Sequence, residues 1–322
     1  MVLLSSESGV KRMRNYPMNE PMIRTTHLCK SFGNHTAVDR LNIEIHKGEL
    51  YGLVGPDGAG KTTTMRLLAS IMDATSGEAW VAGHSILAEG ERVKEKIGYM
   101  SQRFGLYEDL TVMENMLFYA DLYEVSQKER PARLERLLGF SNLAPFQDRL
   151  AGQLSGGMKQ KLGLACALIH TPAVLFLDEP TNGVDPVSRR DFWRILYDLL
   201  KEGVTIMVST SYLDEAERCT RIGLMHKGVI LIEDTPKNIR SSLHASMIEV
   251  WSDNARSAID RVKKINNVTG VSLYGDRLHI TIKKKVPAAE LIIDLKRTGI
   301  EVKDYREILP SLEDVFISMV ER

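Results

Sequence analysis

Two short stretches of this sequence carry the residue types and spacing that chemistry needs. Gly55, Pro56, Asp57, Gly58, Ala59, Gly60, Lys61, Thr62 and Thr63 follow the apolar run Leu50 to Val54 and open a helical pattern with Met65, Leu67, Leu68 and Ile71. The spacing of glycines, lysine and threonine is that of a phosphate-binding loop, and it sits between strand and helix as such a loop must. Its glycines let backbone N–H groups converge on phosphate oxygens, and the helix N-terminus adds favourable partial charge. Lys61 is then the neutraliser of the β- and γ-phosphates and Thr62 a magnesium ligand. Residues 55–63 are cofactor-binding candidates for a purine nucleotide, with adenine and guanine both open. Asp57, an acid beside phosphates, disfavours binding slightly.

The second stretch is Val174 to Leu177, an apolar run that ends on Asp178 and Glu179. A carboxylate at a buried strand end can hold the metal shell of a nucleotide, and its neighbour can polarise water for in-line attack on the γ-phosphate. Asp178 takes the first role and Glu179 the second.

These residues need a scaffold, and the pattern supplies one. Leu50 to Val54, Val174 to Leu177 and Val204 to Val208 are continuous apolar runs ending in polar loops, as expected of parallel strands buried on both faces with a site at their carboxyl ends. From about Phe104 to Leu150 the apolar spacing turns helical, and Thr111 with Glu114 predicts a capping box. After Pro236, strands are expected at Met247 to Trp251, Val268 to Tyr274, Arg277 to Ile282 and Glu301 to Tyr305, with helices near Ala255 to Ile265 and Ala288 to Lys296. That order is βαββαβ, a ferredoxin-like arrangement. A last helix is expected from Ser311, with Leu312, Val315, Phe316, Met319 and Val320 on one face.

The run Leu154-Ser155-Gly156-Gly157-Met158-Lys159-Gln160 resembles the signature of ABC ATPases. Phe32 resembles the aromatic residue that stacks on adenine in that family, Gln102 the glutamine loop, and Asp185 in Gly183-Val184-Asp185-Pro186 the D-loop. The resemblance covers about residues 22 to 240. It implies an α/β fold, a P-loop NTPase core of the ABC ATPase kind with a helical subdomain at about 104–165, followed by a small ferredoxin-like α+β accessory domain at 245–322. Residues 1–21, mixing basic residues with Ser, Asn and Pro, read as a disordered tail. The resemblance implies ATP and Mg2+ as cofactors, with Thr62, Gln102 and Asp178 at the metal and Glu179, Lys61 and Gln102 in catalysis. Phe32, residues 55–63, Ser155, Gly156, Gly157 and Ser211 would bind nucleotide. In the family the signature addresses the γ-phosphate held by the opposite subunit, so a head-to-tail homodimer or heterodimer with a second ABC ATPase is implied.

Asp57, the run from Phe104 to Thr111 and the run Ser209 to Glu217 look like the ATP-binding subunits of ABC-2-type exporters, most similar to the amino-terminal ATPase half of the Ybh-type multidrug or cation exporters. The ending Pro310 to Phe316 resembles the accessory domain that follows such ATPases. The implied function is ATP hydrolysis that powers export of drugs or other small molecules through separate ABC-2 permease subunits, from the cytoplasmic face of the membrane. The alternative is a nucleotide-binding regulatory subunit with little hydrolysis of its own. One departure bears on that choice. Most of the family carries histidine where this chain has Ser211. A serine hydroxyl reaches less far and brings no positive charge, and losing one transition-state contact of this kind costs about 2.7–4 kcal/mol. A slow site paired with a competent second ATPase chain is the expectation.

Composition narrows the rest. The chain has 322 residues, and Lys plus Arg equals Asp plus Glu at 42 each, so no basic field points to nucleic acid. Its longest apolar runs fall far short of the roughly 20 residues of a spanning helix. The three cysteines, Cys29, Cys166 and Cys219, are scattered without C-x-x-C spacing and read as free thiols. Lys11, Arg12 and Arg14 precede no apolar core of signal-peptide length. The run Lys283 to Lys285 reads as a solvated turn, and His170 and His226 lack any ligand pattern.

Overall fold

The computed structural model describes residues 20–102, 105–242, 245–283 and 287–320; the tail before residue 20, Phe104 and the lysines at 284–285 lie outside them. The described residues open with β1 (Ile23–Phe32), β2 (His35–Leu41) and β3 (Glu44–Ile45), then β4 (Leu50–Val54), helix α1 (Lys61–Leu68), β5 (Ser76–Val81), β6 (His84–Ser85), α2 (Gly90–Lys96) and β7 (Ile97–Met100). Three helices follow, α3 (Val112–Leu122), α4 (Arg130–Ser141) and α5 (Gly156–Leu168). The start of α3 is fixed by the expected capping box, with Thr111 accepting from the Glu114 N–H at 3.1 Å and Glu114 from the Thr111 N–H at 2.8 Å. The core then closes with β8 (Val174–Asp178), α6 (Pro186–Lys201), β9 (Thr205–Thr210), α7 (Leu213–Ala216), β10 (Arg221–His226), β11 (Val229–Asp234) and α8 (Pro236–Ser242).

The central sheet runs β11-β10-β4-β9-β8-β7, parallel from β10 to β7 with β11 an antiparallel edge. Every residue of β4 and β8 is buried, because each has a sheet neighbour on both sides and an apolar layer on both faces. Tyr51, Leu53, Phe176 and Met207 face one core, shared with α1 and the antiparallel sheet β2-β1-β5-β6. Leu50, Val54, Leu175, Leu177, Ile206 and Val208 face the other, shared with helices α3 to α6. This period-2 partition sends both faces into apolar layers and pushes polar residues to the strand ends. β9 runs two residues beyond Val208, because Ser209 pairs with Asp178 and Thr210 with Val54.

The carboxy-terminal segment holds β12 (Ala245–Trp251), α9 (Ala255–Val262), β13 (Val268–Tyr274), β14 (Arg277–Lys283), α10 (Ala288–Arg297), β15 (Asp304–Ile308) and α11 (Leu312–Val320). Its antiparallel sheet has the order β13-β14-β12-β15 and packs Ile248, Val250, Leu278 and Ile280 against α9 and α10, a ferredoxin-like βαββαβ layer. β15 starts later than its composition suggested, because Gly299, with φ 74°, and buried Ile300 end α10 first, and pairing with β12 begins only at Asp304. Helix α11 does not join that layer's core. Leu312 and Val315 belong to the core of the helical side of the central sheet, and Phe316 meets His226 edge-on at 5.9 Å, while Val320 stays 40% exposed.

Candidate active site

The glycine loop after β4 is wedged between neighbouring backbones. A Cβ on Gly55 would lie 2.1 Å from the Met225 carbonyl, and one on Gly60, whose φ is 109°, would lie 2.3 Å from the Ala37 carbonyl. Only glycine fits there. The first turn of α1 has neither a side-chain cap nor an acidic residue, so its N–H groups remain free for an anion. Lys61 is 4% exposed and folds back over the loop: its Nζ donates to the carbonyls of Gly55 at 2.7 Å and Pro56 at 3.1 Å, and pairs with Glu179 Oε1 at 3.2 Å.

Parallel pairing of β8 with β9 brings Ser209 beside Asp178, and the Ser209 hydroxyl donates to Asp178 Oδ1 at 2.6 Å. Thr62 donates to the same oxygen at 3.1 Å, which leaves Asp178 Oδ2 buried with no hydrogen-bond partner. The next residue, Glu179, takes a left-handed backbone with φ 49°, a conformation that costs a non-glycine residue about 1–2 kcal/mol. Its N–H is held by Ser209 through both carbonyl and hydroxyl, at 3.1 and 3.0 Å. Glu179 Oε2 accepts from Gln102 at 3.1 Å and Asn182 at 3.3 Å. Of two buried carboxylates, Glu179 pairs with Lys61, while Asp178 is held by hydroxyls alone and keeps one oxygen unpartnered. A buried acceptor without a donor is costly, and a cation relieves it.

A cavity of about 510 Å³ opens over these groups. Phe32, Asp57, Gly58, Ala59, Gly60, Lys61, Thr62, Thr63, Gln102 and Glu179 all line it, with Phe32 half exposed at 49%. Gly55 and Pro56 lie behind the lining and reach the site through the carbonyls that hold Lys61, and Asp178 reaches it through Thr62. Ser155, Gly156, Gly157 and Ser211 are not in the lining. Ser155 caps α5, its hydroxyl accepting from the Met158 N–H at 3.3 Å, and Ser155, Gly156 and Ser211 are exposed. Sequence reasoning missed His35, Ala37 and Asn182 in the lining. Asn182 could have been sought, since it lies three residues past Glu179 and its N–H returns to the Glu179 carbonyl at 3.2 Å.

Comparison with known proteins fits this geometry. The family described as ABC transporter matches residues 38–182, and the family described as ATP-binding protein DrrA1-3-like, C-terminal domain, matches residues 235–320. The daunorubicin/doxorubicin resistance ATP-binding protein DrrA of Streptomyces peucetius is 32% identical over 302 residues, covering 92% of each chain. The chain belongs to the ABC transporter ATP-binding proteins. The probable multidrug ABC transporter ATP-binding protein YbhF of Escherichia coli K12 is 42% identical over 307 residues, 94% of this chain and 53% of that one, so the present chain spans about half of its length. A solved structure described as the dimeric, post-hydrolysis state of an ATP-binding cassette bound to ADP and Pi aligns with a TM-score of 0.60 at 27% identity, covering 66% of this ABC ATP-binding protein and 98% of that chain. Among the described residues, no helix is long and apolar enough to cross a membrane.

Magnesium fits the residues present. No cluster of three or more His, Cys, Asp or Glu among the described residues could hold a metal unaided. Mg2+ is ordinarily bound by one or two protein oxygens together with phosphate oxygens and water. The free Asp178 Oδ2 beside the Thr62 hydroxyl is a donor set of that kind.

Proposed function

We propose that this chain binds and hydrolyses ATP to power small-molecule export through separate membrane permease subunits of the ABC-2 type. The observation that carries the reading is a 510 Å³ cavity edged by Phe32 and lined by buried Lys61 and Glu179, with Asp178 and its unspent carboxylate oxygen directly behind Thr62. Phe32 would stack on the adenine. Residues 55–63 would wrap the phosphates, with Lys61 leaving the Gly55 and Pro56 carbonyls for phosphate oxygens. Thr62 and Asp178 would hold the magnesium, with the Gln102 carbonyl a further ligand once its amide no longer donates to Glu179. Magnesium would draw charge from the γ-phosphate, and Glu179 would take the proton of the attacking water.

Ser155, Gly156 and Gly157 lie outside this cavity, with Ser155 and Gly156 exposed at a helix start and Gly157 buried behind them, which supports use of this helix start by a second ATPase subunit, in a homodimer or a heterodimer. We place the ATP-binding domain at about 22–240 and the accessory domain at 245–322. Tyr107, Phe118 and Leu122 form an exposed apolar surface on the helical arm, with the Tyr107 and Phe118 rings 4.6 Å apart, and are offered as the contact for a permease at the cytoplasmic membrane face. DrrA and YbhF are named for drug resistance and multidrug transport, which supports a drug-like cargo and favours an exporter ATPase over a regulatory subunit.

The test is ATP turnover of the full chain alone and mixed with a second ATPase chain, each with Ser211→His. Low turnover alone, raised about a hundredfold by Ser211→His, supports a slow site that relies on a partner. High turnover alone, unchanged by Ser211→His, means a self-sufficient homodimer and sinks the need for a partner ATPase.

A further inference from the structure

The loop that follows β9 carries serine at 211, yet it reaches the Glu179 carboxylate by another route. Tyr212 donates its hydroxyl to Asn182 Oδ1 at 3.3 Å, and Asn182 Nδ2 donates to Glu179 Oε2 at 3.3 Å. Both ends of this link are braced. The Tyr212 ring lies under the Arg189 guanidinium, 4.6 Å from its centroid, and the Tyr212 N–H donates to the Thr210 hydroxyl at 3.0 Å. That hydroxyl donates to Glu215 at 2.7 Å, while the other Glu215 oxygen accepts from Thr181 and lies 3.4 Å from Arg189 Nε. Glu215 is 1% exposed, so the loop after β9 and the loop after β8 are tied together twice, once through a buried carboxylate and once through Tyr212 and Asn182.

We infer that Tyr212 and Asn182 are positioning residues for the Glu179 base, and that the post-β9 loop acts on hydrolysis through residue 212. The inference rests on the reading of Glu179 as general base. An amide that accepts at its oxygen donates more strongly at its nitrogen, so the Tyr212 hydroxyl sharpens the Asn182 hold on Glu179. Gln102 donates to the same Glu179 oxygen, and Lys61 pairs with the other, so together with Asn182 they fix both the plane and the reach of the carboxylate.

The experiment is single-turnover hydrolysis of γ-labelled ATP by the full chain, with ATP affinity measured separately on the same samples. Tyr212→Phe keeps the ring under Arg189 and removes only the hydroxyl, and it lowers the hydrolysis constant about 2- to 10-fold with affinity unchanged. Asn182→Leu removes the amide at similar size, and it lowers the hydrolysis constant at least as much, again with affinity unchanged. If the Tyr212 hydroxyl acts through Asn182, the double variant is no slower than Asn182→Leu alone, whereas independent structural roles make the two losses add. Unchanged hydrolysis in Tyr212→Phe, loss of affinity in step with rate, or additive losses in the double variant overturns the inference. Absence of hydrolysis in the unsubstituted chain overturns instead the assignment of the site itself.

Discussion

The molecule buries two clusters of charge, and they are built to opposite ends. At the carboxyl ends of β4 and β8, Lys61, Asp178 and Glu179 sit at 1–9% exposure, with Lys61 resting on backbone carbonyls and Asp178 Oδ2 unpartnered. On the accessory sheet Glu249 is 3% exposed, yet it is saturated: Arg277 and His279 reach one oxygen at 3.2 and 3.3 Å, and Arg306 reaches the other at 2.6 Å. His279 bridges onward to Asp314 at 3.3 Å, and Asp314 accepts from the Ser311 N–H and hydroxyl at 2.9 and 2.6 Å, fixing the start of α11. Buried charge with valence to spare is a site. Buried charge with every acceptor used is a strut, and here it holds the accessory sheet to the helix that packs on the ATPase core.

Removing one charge from each cluster sharpens the contrast. Asp178→Asn should cut ATP hydrolysis by at least about a hundredfold, the scale of a lost transition-state contact, while leaving the melting temperature unchanged or higher, since it deletes an unpaired buried charge. Parallel turnover and thermal melting check both halves. Glu249→Ala should do the reverse. It removes the acceptor shared by Arg277, Arg306 and His279 and should destabilise the fold by about 1–3 kcal/mol, visible in chemical denaturation, with ATP affinity little changed. If Glu249→Ala abolished ATP binding while the fold stayed stable, the strut reading would fail.

The smallest effect is a pH dependence. His279 is held above its ordinary value by its hydrogen bond to Asp314, against the opposing pull of burial, with the Asp314 and Glu249 charges adding. A raised folded value means the stability it contributes is complete below the unfolded pKa of about 6.5 and is lost as pH rises through the folded value. The gap in melting temperature between the native chain and His279→Gln should therefore narrow from pH 6 to pH 9. A constant gap would mean that His279 is not protonated in the fold. Asp314 lies below the usual range because hydrogen bonds from His279 and Ser311 outweigh the effect of burial, so its contribution is present above about pH 4 and fails only in acid.

What the sequence disclosed divides along the same line. The phosphate loop and the Asp178-Glu179 pair are contiguous, and contiguous residues at a strand end need no knowledge of tertiary packing to be read. The capping box at Thr111 and Glu114 was equally local. The Glu249, His279 and Asp314 cluster was not legible, because its members come from β12, β14 and α11 and meet only across the sheet. The amphipathic pattern of α11 announced a buried face but not its partner, which is the core beside β10. His226 and His170, which lack any ligand pattern, serve packing: the first meets Phe316, and the second donates from Nε2 to the Ile97 carbonyl at 2.9 Å and stacks on Tyr123 at 3.8 Å. Cys166 and Cys219 are buried free thiols, the latter pushed up to about 12 by burial, so neither is poised to react.

The most direct test of the central claim is the nucleotide bound to the chain after mixing with Mg·ATP and rapid gel filtration, comparing the native protein with Glu179→Gln. ADP is expected on the native protein and intact ATP on the variant, because residues 55–63 still bind while the base is gone. Conversion of ATP to ADP by Glu179→Gln at the native rate would contradict it, and the catalytic base would then have to lie elsewhere.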